Sequence, residues 1–236
     1  MRSHFFTLTV PFLRALGSNP SSVQVGATID AIVQLFRALM QPPRNSIQGL
    51  WAELYLITQA RDSKAMVAAW HATPDERYDF AVGNQRIEVK CALGRERRHH
   101  FSLEQLTPPQ GGGVYVASVC TEPSGGGTSI ADFLNALRPQ LKNDAPLQLR
   151  LESMVSNTLG RVFVEGLSTS FDLELADQTL GYYPVDSIPR PPGPMPFEVT
   201  NVQFVANVGR VPAVPLGELI RGGGLFEAVV RSDFTN

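Results

Sequence analysis

The chain has 236 residues, 43% of them hydrophobic, and a formal net charge of −2, enough for one large domain or a core with an added lobe. It is too nearly neutral for a polycation that coats DNA along its whole surface, so any nucleic-acid contact has to come from a local basic patch. No apolar run reaches the roughly 18–20 residues that span a bilayer. Arg14 and Pro11 interrupt the apolar start, which argues against a secretion signal. Cys91 and Cys120 offer neither a disulfide framework nor paired zinc spacing, so reduced thiols and a cytoplasmic location are expected.

In chain order, Val25, Ile29, Ile32, Val33, Phe36 and Leu39 recur at helical spacing and predict a helix over 22–40, ended by Pro42 and Pro43. A second helix is predicted over 46–60 with Ser46 as its cap, and residues 62–70 extend it or form a third. Two strands, 79–82 and 86–91, flank Gly83-Asn84, a good two-residue hairpin loop. Residues 99–103 read as a third strand running into a turn at 104–106, and 114–121 as a buried strand. The glycines at 111–113 and 125–127 are expected to be flexible connections around that strand. Amphipathic helices follow at 129–141 and 146–156. From Arg161 onward the pattern turns to strands, broken by a Pro-rich rigid loop at 188–196.

The hairpin carries chemistry. If Gly83-Asn84 is the loop, Val82 faces Gln85, Ala81 meets Arg86, Phe80 meets Ile87, and Asp79 meets Glu88. Two carboxylates then stand with Cβ atoms about 4.5–5.5 Å apart. Alternation sorts Ile87 and Val89 to an apolar face, and Asp79, Glu88, Arg86 and Lys90 to the other. Like charges across a ladder repel. A divalent cation bridging them relieves that, and hard oxygen donors suit Mg²⁺ or Mn²⁺. The plain alternative is that Lys90 and Arg86 neutralise the two acids on a wet sheet face. On the second helix Glu53 falls on the apolar side of the wheel, between Ile57 and Ala60, so it needs a partner. That partner is either a structural salt bridge or the hairpin site.

Arg86, Lys90, Arg95, Arg97, Arg98, His99 and His100 form a basic run. Alone it reads as a solvated loop; beside this hairpin it is a candidate phosphate-binding surface. His99 and His100 are adjacent, so on a strand they point to opposite faces and cannot share one metal. Cys91 reads as a small buried hydrophobe, and Trp51 and Trp70 as core.

A helix with an inward Glu, a strand with Asp, a hairpin and Glu-x-Lys resemble the PD-(D/E)XK nuclease superfamily. More narrowly, GLWAELYLI, Trp70 and YDFAVGNQRIEVKCALGRERRHHFSLEQL resemble a bacterial family known only by its PD-(D/E)XK motif. The resemblance implies an α/β fold of restriction-endonuclease type, with a mixed central sheet flanked by helices and a strand-rich C-terminal region. The chain is expected to divide into an N-terminal helical segment (1–45), a nuclease core (46–145) and a C-terminal α+β region packed on the core (146–236).

For the site, the resemblance implies that Asp79 and Glu88 ligate Mg²⁺, or Mn²⁺ in its place, with help from the Val89 carbonyl and from Glu53. Lys90 would orient the attacking water, and Gln105 would touch the metal water or a phosphate. From the basic run, Arg86, Arg95, Arg97, Arg98, His99 and His100 are the expected nucleic-acid contacts. The literal Pro-Asp pair is Pro74-Asp75, but register favours Asp79, since Asp75 would not face Glu88. The implied activity is metal-dependent endonucleolytic hydrolysis of DNA in a bacterial restriction or phage-defence system. Expected partners are DNA, a second copy or other defence subunits, and no membrane. Two other readings stay open: an inactive nuclease fold serving as a DNA-binding or assembly subunit, and a structural subunit with a salt-bridged hairpin.

Overall fold

The computed structural model describes residues 9–10, 12–14, 16–43, 46–71, 77–108, 110–193 and 195–231. Helix α1 (Ser22–Ala38) begins at a capping box in which Ser21 and Gln24 bond reciprocally. Helix α2 (Ile47–Gln59) begins where the Ser46 Oγ accepts the Gly49 N–H at 2.9 Å, and α3 (Ser63–Ala69) begins under the Asp62 carboxylate. Residues 62–70 therefore form a separate helix rather than an extension of α2. Asp62 caps a new helix, and its own N–H bonds the Ala228 carbonyl.

Strands β1 (Phe80–Val82) and β2 (Gln85–Leu93) make the hairpin, β3 (Arg98–Ser102) leads into a 3-10 turn at Glu104–Leu106, and β4 (Gly113–Thr121) follows. Then come β5 (Pro123–Ser129), α4 (Ile130–Gln140), α5 (Ala145–Leu159), α6 (Phe163–Ser168), β6 (Ser170–Phe171), α7 (Leu173–Thr179) and β7 (Gly181–Pro184). The last elements are β8 (Gln203–Asn207), α8 (Leu216–Gly222) and α9 (Gly224–Ala228).

The central sheet runs β1-β2-β4-β7, with β2 and β4 parallel and both outer pairings antiparallel. It is a mixed sheet flanked by helices, consistent with a restriction-endonuclease-like fold. Alternation decides what each face meets. Ile87, Val89, Cys91, Tyr115, Ala117 and Val119 pack into the main core with the helices. On the opposite face Val114 and Val116 join Phe101, Leu106, Tyr183 and Ala206 in a second core beneath the β3-β8 ribbon. Helix α2 packs on β2 and α4, which brings its mid-helix residues against the hairpin.

Two expectations change here. The second glycine triplet is not a free connection. Gly125, Gly126 and Gly127 lie inside β5, which pairs with β6 across a bulge, and a Cβ at Gly127 would overlap the Phe171 carbonyl. The region after Arg161 supplies the expected strands but interleaves them with the short helices α6 to α9. Its β7 is hydrogen-bonded into the central sheet, because Tyr182 and Tyr183 each serve one of the two cores. The Pro-rich loop is pinned by Arg190, which donates to the carbonyls of Leu106 and Val185. Among the described residues no helix is long and apolar enough to cross a membrane.

Candidate active site

The register is the one the Gly-Asn loop dictates: Val82 pairs Gln85, Ala81 pairs Arg86, and Phe80 pairs Ile87. Asp79 precedes the strand, and its Oδ2 accepts the Val89 N–H at 2.7 Å. The carboxylate is thus fastened to the backbone of β2 one residue beyond Glu88. Asp75 lies outside the described residues.

On its other edge β1 meets the chain leaving α3. Trp70 bridges Phe80, and the His71 N–H donates to the Asp79 carbonyl at 2.8 Å. His71 Nδ1 then stands 3.7 Å from Asp79 Oδ1. Glu53, 5% exposed in the middle of α2, accepts the Trp70 indole N–H on Oε2 at 2.6 Å. Its partner is thus a neutral donor, and among the described residues no basic side chain pairs with it. Donor atoms of Glu53, His71 and Asp79 all lie within 4.8 Å of one another.

Glu88 turns to a different set. Its Oε1 takes the Lys90 ammonium at 2.7 Å and the Gln105 amide at 2.6 Å. The Gln105 Oε1 in turn accepts from Lys90 at 3.2 Å and from the Ser102 N–H. The Lys90 ammonium also sits 5.3 Å from the centre of the Phe101 ring. Gln105 is therefore a bridge between Glu88 and Lys90, held by the 3-10 turn.

The electrostatics are those of an overcrowded acid cluster. Burial, then the neighbouring Asp79, push Glu88 up to about 8 despite Lys90 and Gln105. Burial and Asp79 hold Glu53 well above the ordinary carboxylate range against the pull of the Trp70 hydrogen bond. Burial also raises Asp79, opposed by the Val89 N–H, His71 and Lys90. The cluster opens at one edge, where the Asp79 and Lys90 side chains each keep 17% of their surface exposed. Three acids, one from a helix, one just before β1 and one on β2, with one ammonium can hold a divalent cation and a phosphate together.

The basic run divides. His99 is 3% exposed and shares a 2.7 Å hydrogen bond with the Ser118 Oγ. Burial, then Lys90 and Arg97, push its imidazole down to about 3, so it is neutral. Arg97 is bound inward to the Ser118 Oγ and carbonyl and to the Thr179 carbonyl. The burial of His99 runs against the exposed position expected of a phosphate contact, and Arg97 is half-buried with its guanidinium turned inward. In β3 the chain alternates, so His99 and Phe101 go in while Arg98 and His100 go out. Arg95, Arg98 and His100 are exposed, with Arg98 paired to Glu96. Arg86 folds back onto the Gly83 and Gln85 carbonyls of the turn. Cys91 packs against the main core and burial pushes it up to about 12, a thiol and not a nucleophile.

Sequence reasoning passed over His71, which stands at no motif spacing, and read Trp70 as core and as part of the family resemblance without foreseeing that its indole N–H would meet Glu53. The available signal was that a helix ending near Trp70 must return quickly to a strand beginning near 80, which lays the two segments alongside each other.

A protein-family profile described as "Putative PD-(D/E)XK family member, (DUF4420)" matches residues 2–209. No curated protein and no solved structure matches the chain.

Proposed function

The chain belongs to this PD-(D/E)XK family, and from that premise we propose that it is a divalent-metal-dependent nuclease that hydrolyses DNA phosphodiester bonds. The observation that carries the reading is the meeting of Glu53 and Asp79, whose donor atoms lie within 4.8 Å of each other, beside the Glu88–Lys90 pair on the next strand, with all three acids raised by burial. Acids crowded this way fit a cation: the donors are hard oxygens, suited to Mg²⁺ or Mn²⁺, and Lys90 is one ammonium among three carboxyl groups.

Asp79, Glu88 and the Val89 carbonyl would hold the metal, with Glu53 completing the set. When bound, the cation supplies Lewis-acid polarisation of the scissile phosphate and a more acidic water. Lys90 positions the attacking water and offsets charge that develops on the phosphate oxygens. Gln105 fixes Lys90 and Glu88 relative to each other through its amide. The Phe101 ring lies 5.3 Å from the ammonium, within cation–π reach. Arg95, Arg98 and His100 provide the exposed surface on which a phosphate backbone would lie, with Arg86 at the hairpin turn.

The test is Mg²⁺- or Mn²⁺-dependent nicking of supercoiled DNA by the wild type, Asp79→Ala and Lys90→Ala. Cleavage that survives both substitutions removes the catalytic assignment. A second reading, a nuclease fold that binds DNA or assembles with partners without cutting, draws on the Glu88–Lys90 pair, which already neutralises itself at 2.7 Å. Metal-stimulated DNA binding with no cleavage by the wild type would favour it. A role in bacterial restriction or phage defence follows from family analogy. It predicts that host protection against phage is lost with Asp79→Ala.

A further inference from the structure

We propose that His71 is a direct metal ligand, completing with Glu53 and Asp79 a mixed nitrogen and oxygen site that prefers Mn²⁺ to Mg²⁺. The inference rests on the nuclease reading for its metal and adds a ligand and a selectivity to it.

The backbone sets the position first. The Trp70–Phe80 bridge and the His71 N–H to Asp79 carbonyl bond fix residue 71 beside residue 79 on the edge of β1, and the His71 ring packs edge-on against Trp70 at 6.4 Å. The side chains then leave donors over. Asp79 spends Oδ2 on the Val89 N–H, and Glu53 spends Oε2 on the Trp70 indole. Each carboxylate keeps its second oxygen, and Asp79 Oδ1 is the atom facing the imidazole.

The spacing is longer than a hydrogen bond and lies between the separations of adjacent and opposite ligands on one ion. The 3.7 Å between His71 Nδ1 and Asp79 Oδ1 exceeds the roughly 2.7–3.2 Å of a charge-assisted or ordinary N–H···O contact. Two donors on one ion at about 2.1–2.2 Å stand about 3 Å apart when adjacent and about 4.3 Å apart when opposite. A donor set within 4.8 Å closes onto an ion with side-chain shifts of about half an ångström.

Selectivity follows from the donors. Mg²⁺ favours oxygen and keeps its waters, whereas imidazole nitrogen is a better ligand for transition ions, among which Mn²⁺ still accepts carboxylates. Trp70 contributes by holding Glu53, the outer-shell support that metal sites depend on.

The probe is Mn²⁺ alone. Pulsed electron paramagnetic resonance of the Mn²⁺-loaded wild type is expected to show nitrogen modulation from a coordinated imidazole. His71→Gln should abolish it, weaken Mn²⁺ binding by about tenfold or more, and leave Mg²⁺ binding within a few-fold. His71→Asp, which restores a donor without nitrogen, should keep Mn²⁺ binding, lack the modulation and narrow the Mn²⁺ preference. The central signal is read on the wild type, so it does not depend on a variant folding. Mn²⁺ binding that Asp79→Asn abolishes, in a wild type without nitrogen modulation, overturns His71 as a ligand and leaves the nuclease reading standing. Modulation that persists in either folded His71 variant overturns it equally. A wild type that binds neither ion at millimolar concentration removes both.

Discussion

Two buried polar clusters meet where β2 lies beside β4, and Lys90 and Ser118, register partners on the two strands, mark the boundary between them. On the Ser118 side, His99 is neutral, Arg97 satisfies two carbonyls and a hydroxyl, and the donors and acceptors match. On the Asp79 side, three carboxylates share one ammonium and all three are raised. Both clusters are polar, buried and close to the family motif, yet one is complete as folded and the other holds more carboxyl groups than its one ammonium can neutralise. Matching of this kind is what a structural network requires; a standing mismatch is what a ligand site stores.

The comparison breaks most sharply on activity. Asp79→Asn should reduce metal-dependent cleavage by about 10³-fold or more, while the metal-free protein melts at an equal or higher temperature because repulsion is relieved. A variant that is both inactive and clearly less stable in chelator would mean that Asp79 is structural, like its neighbours across the boundary. Arg97→Ala should do the reverse. It strips partners from the Ser118 and Thr179 carbonyls and the Ser118 hydroxyl, at about 2–4 kcal/mol in total, and leaves the folded fraction's turnover unchanged. Urea denaturation alongside nicking measures both.

A smaller effect lies in pH. Glu88 titrates near 8 in the folded chain and in the ordinary carboxylate range when unfolded, so between those values the unfolded state binds fewer protons and stability falls as pH rises. His99 acts oppositely: its folded value near 3 lies below the ordinary histidine range, so its contribution is complete above about pH 6.5 and lost as pH falls. From about pH 6.5 to 8 the histidine contribution is flat. There the chelated protein should lose melting temperature with rising pH, and Mn²⁺ should cancel or reverse the trend, since it binds the ionised acids of the native state. A chelated protein whose stability is level across that window would argue against the coupled acids.

The smallest expected effect is at the rim. Arg95→Ala or Arg98→Ala should weaken DNA binding a few-fold and lower the salt-dependence slope by about one per charge. His99→Asn should leave both unchanged. Equal losses for His99 and His100 variants would erase the division between inner and outer β3 residues.

The hairpin was readable because Gly83-Asn84 fixes a register and a strand alternates with period two. From those two facts came the pairings out to Phe80 and the sorting of Ile87 and Val89 away from Glu88 and Lys90. The burial of Glu53 was readable from the helical wheel, and the opposite orientation of His99 and His100 from adjacency. Which of the two histidines went inside was not readable, since that depends on a second core formed with β8 about a hundred residues later. The short helices after Arg161 were missed for a related reason. Elements of five to seven residues carry too little periodicity to announce themselves and are set by packing.

By itself, then, the sequence determined the local chemistry: a turn, a register, an inward acid and a family motif, all products of interactions between near neighbours. Tertiary structure alone decided that Glu53 meets an indole and not a cation, that Gln105 links Glu88 to Lys90, and that His71 stands beside Asp79. Those contacts join segments separated by loops, and no rule of local spacing reaches across a loop.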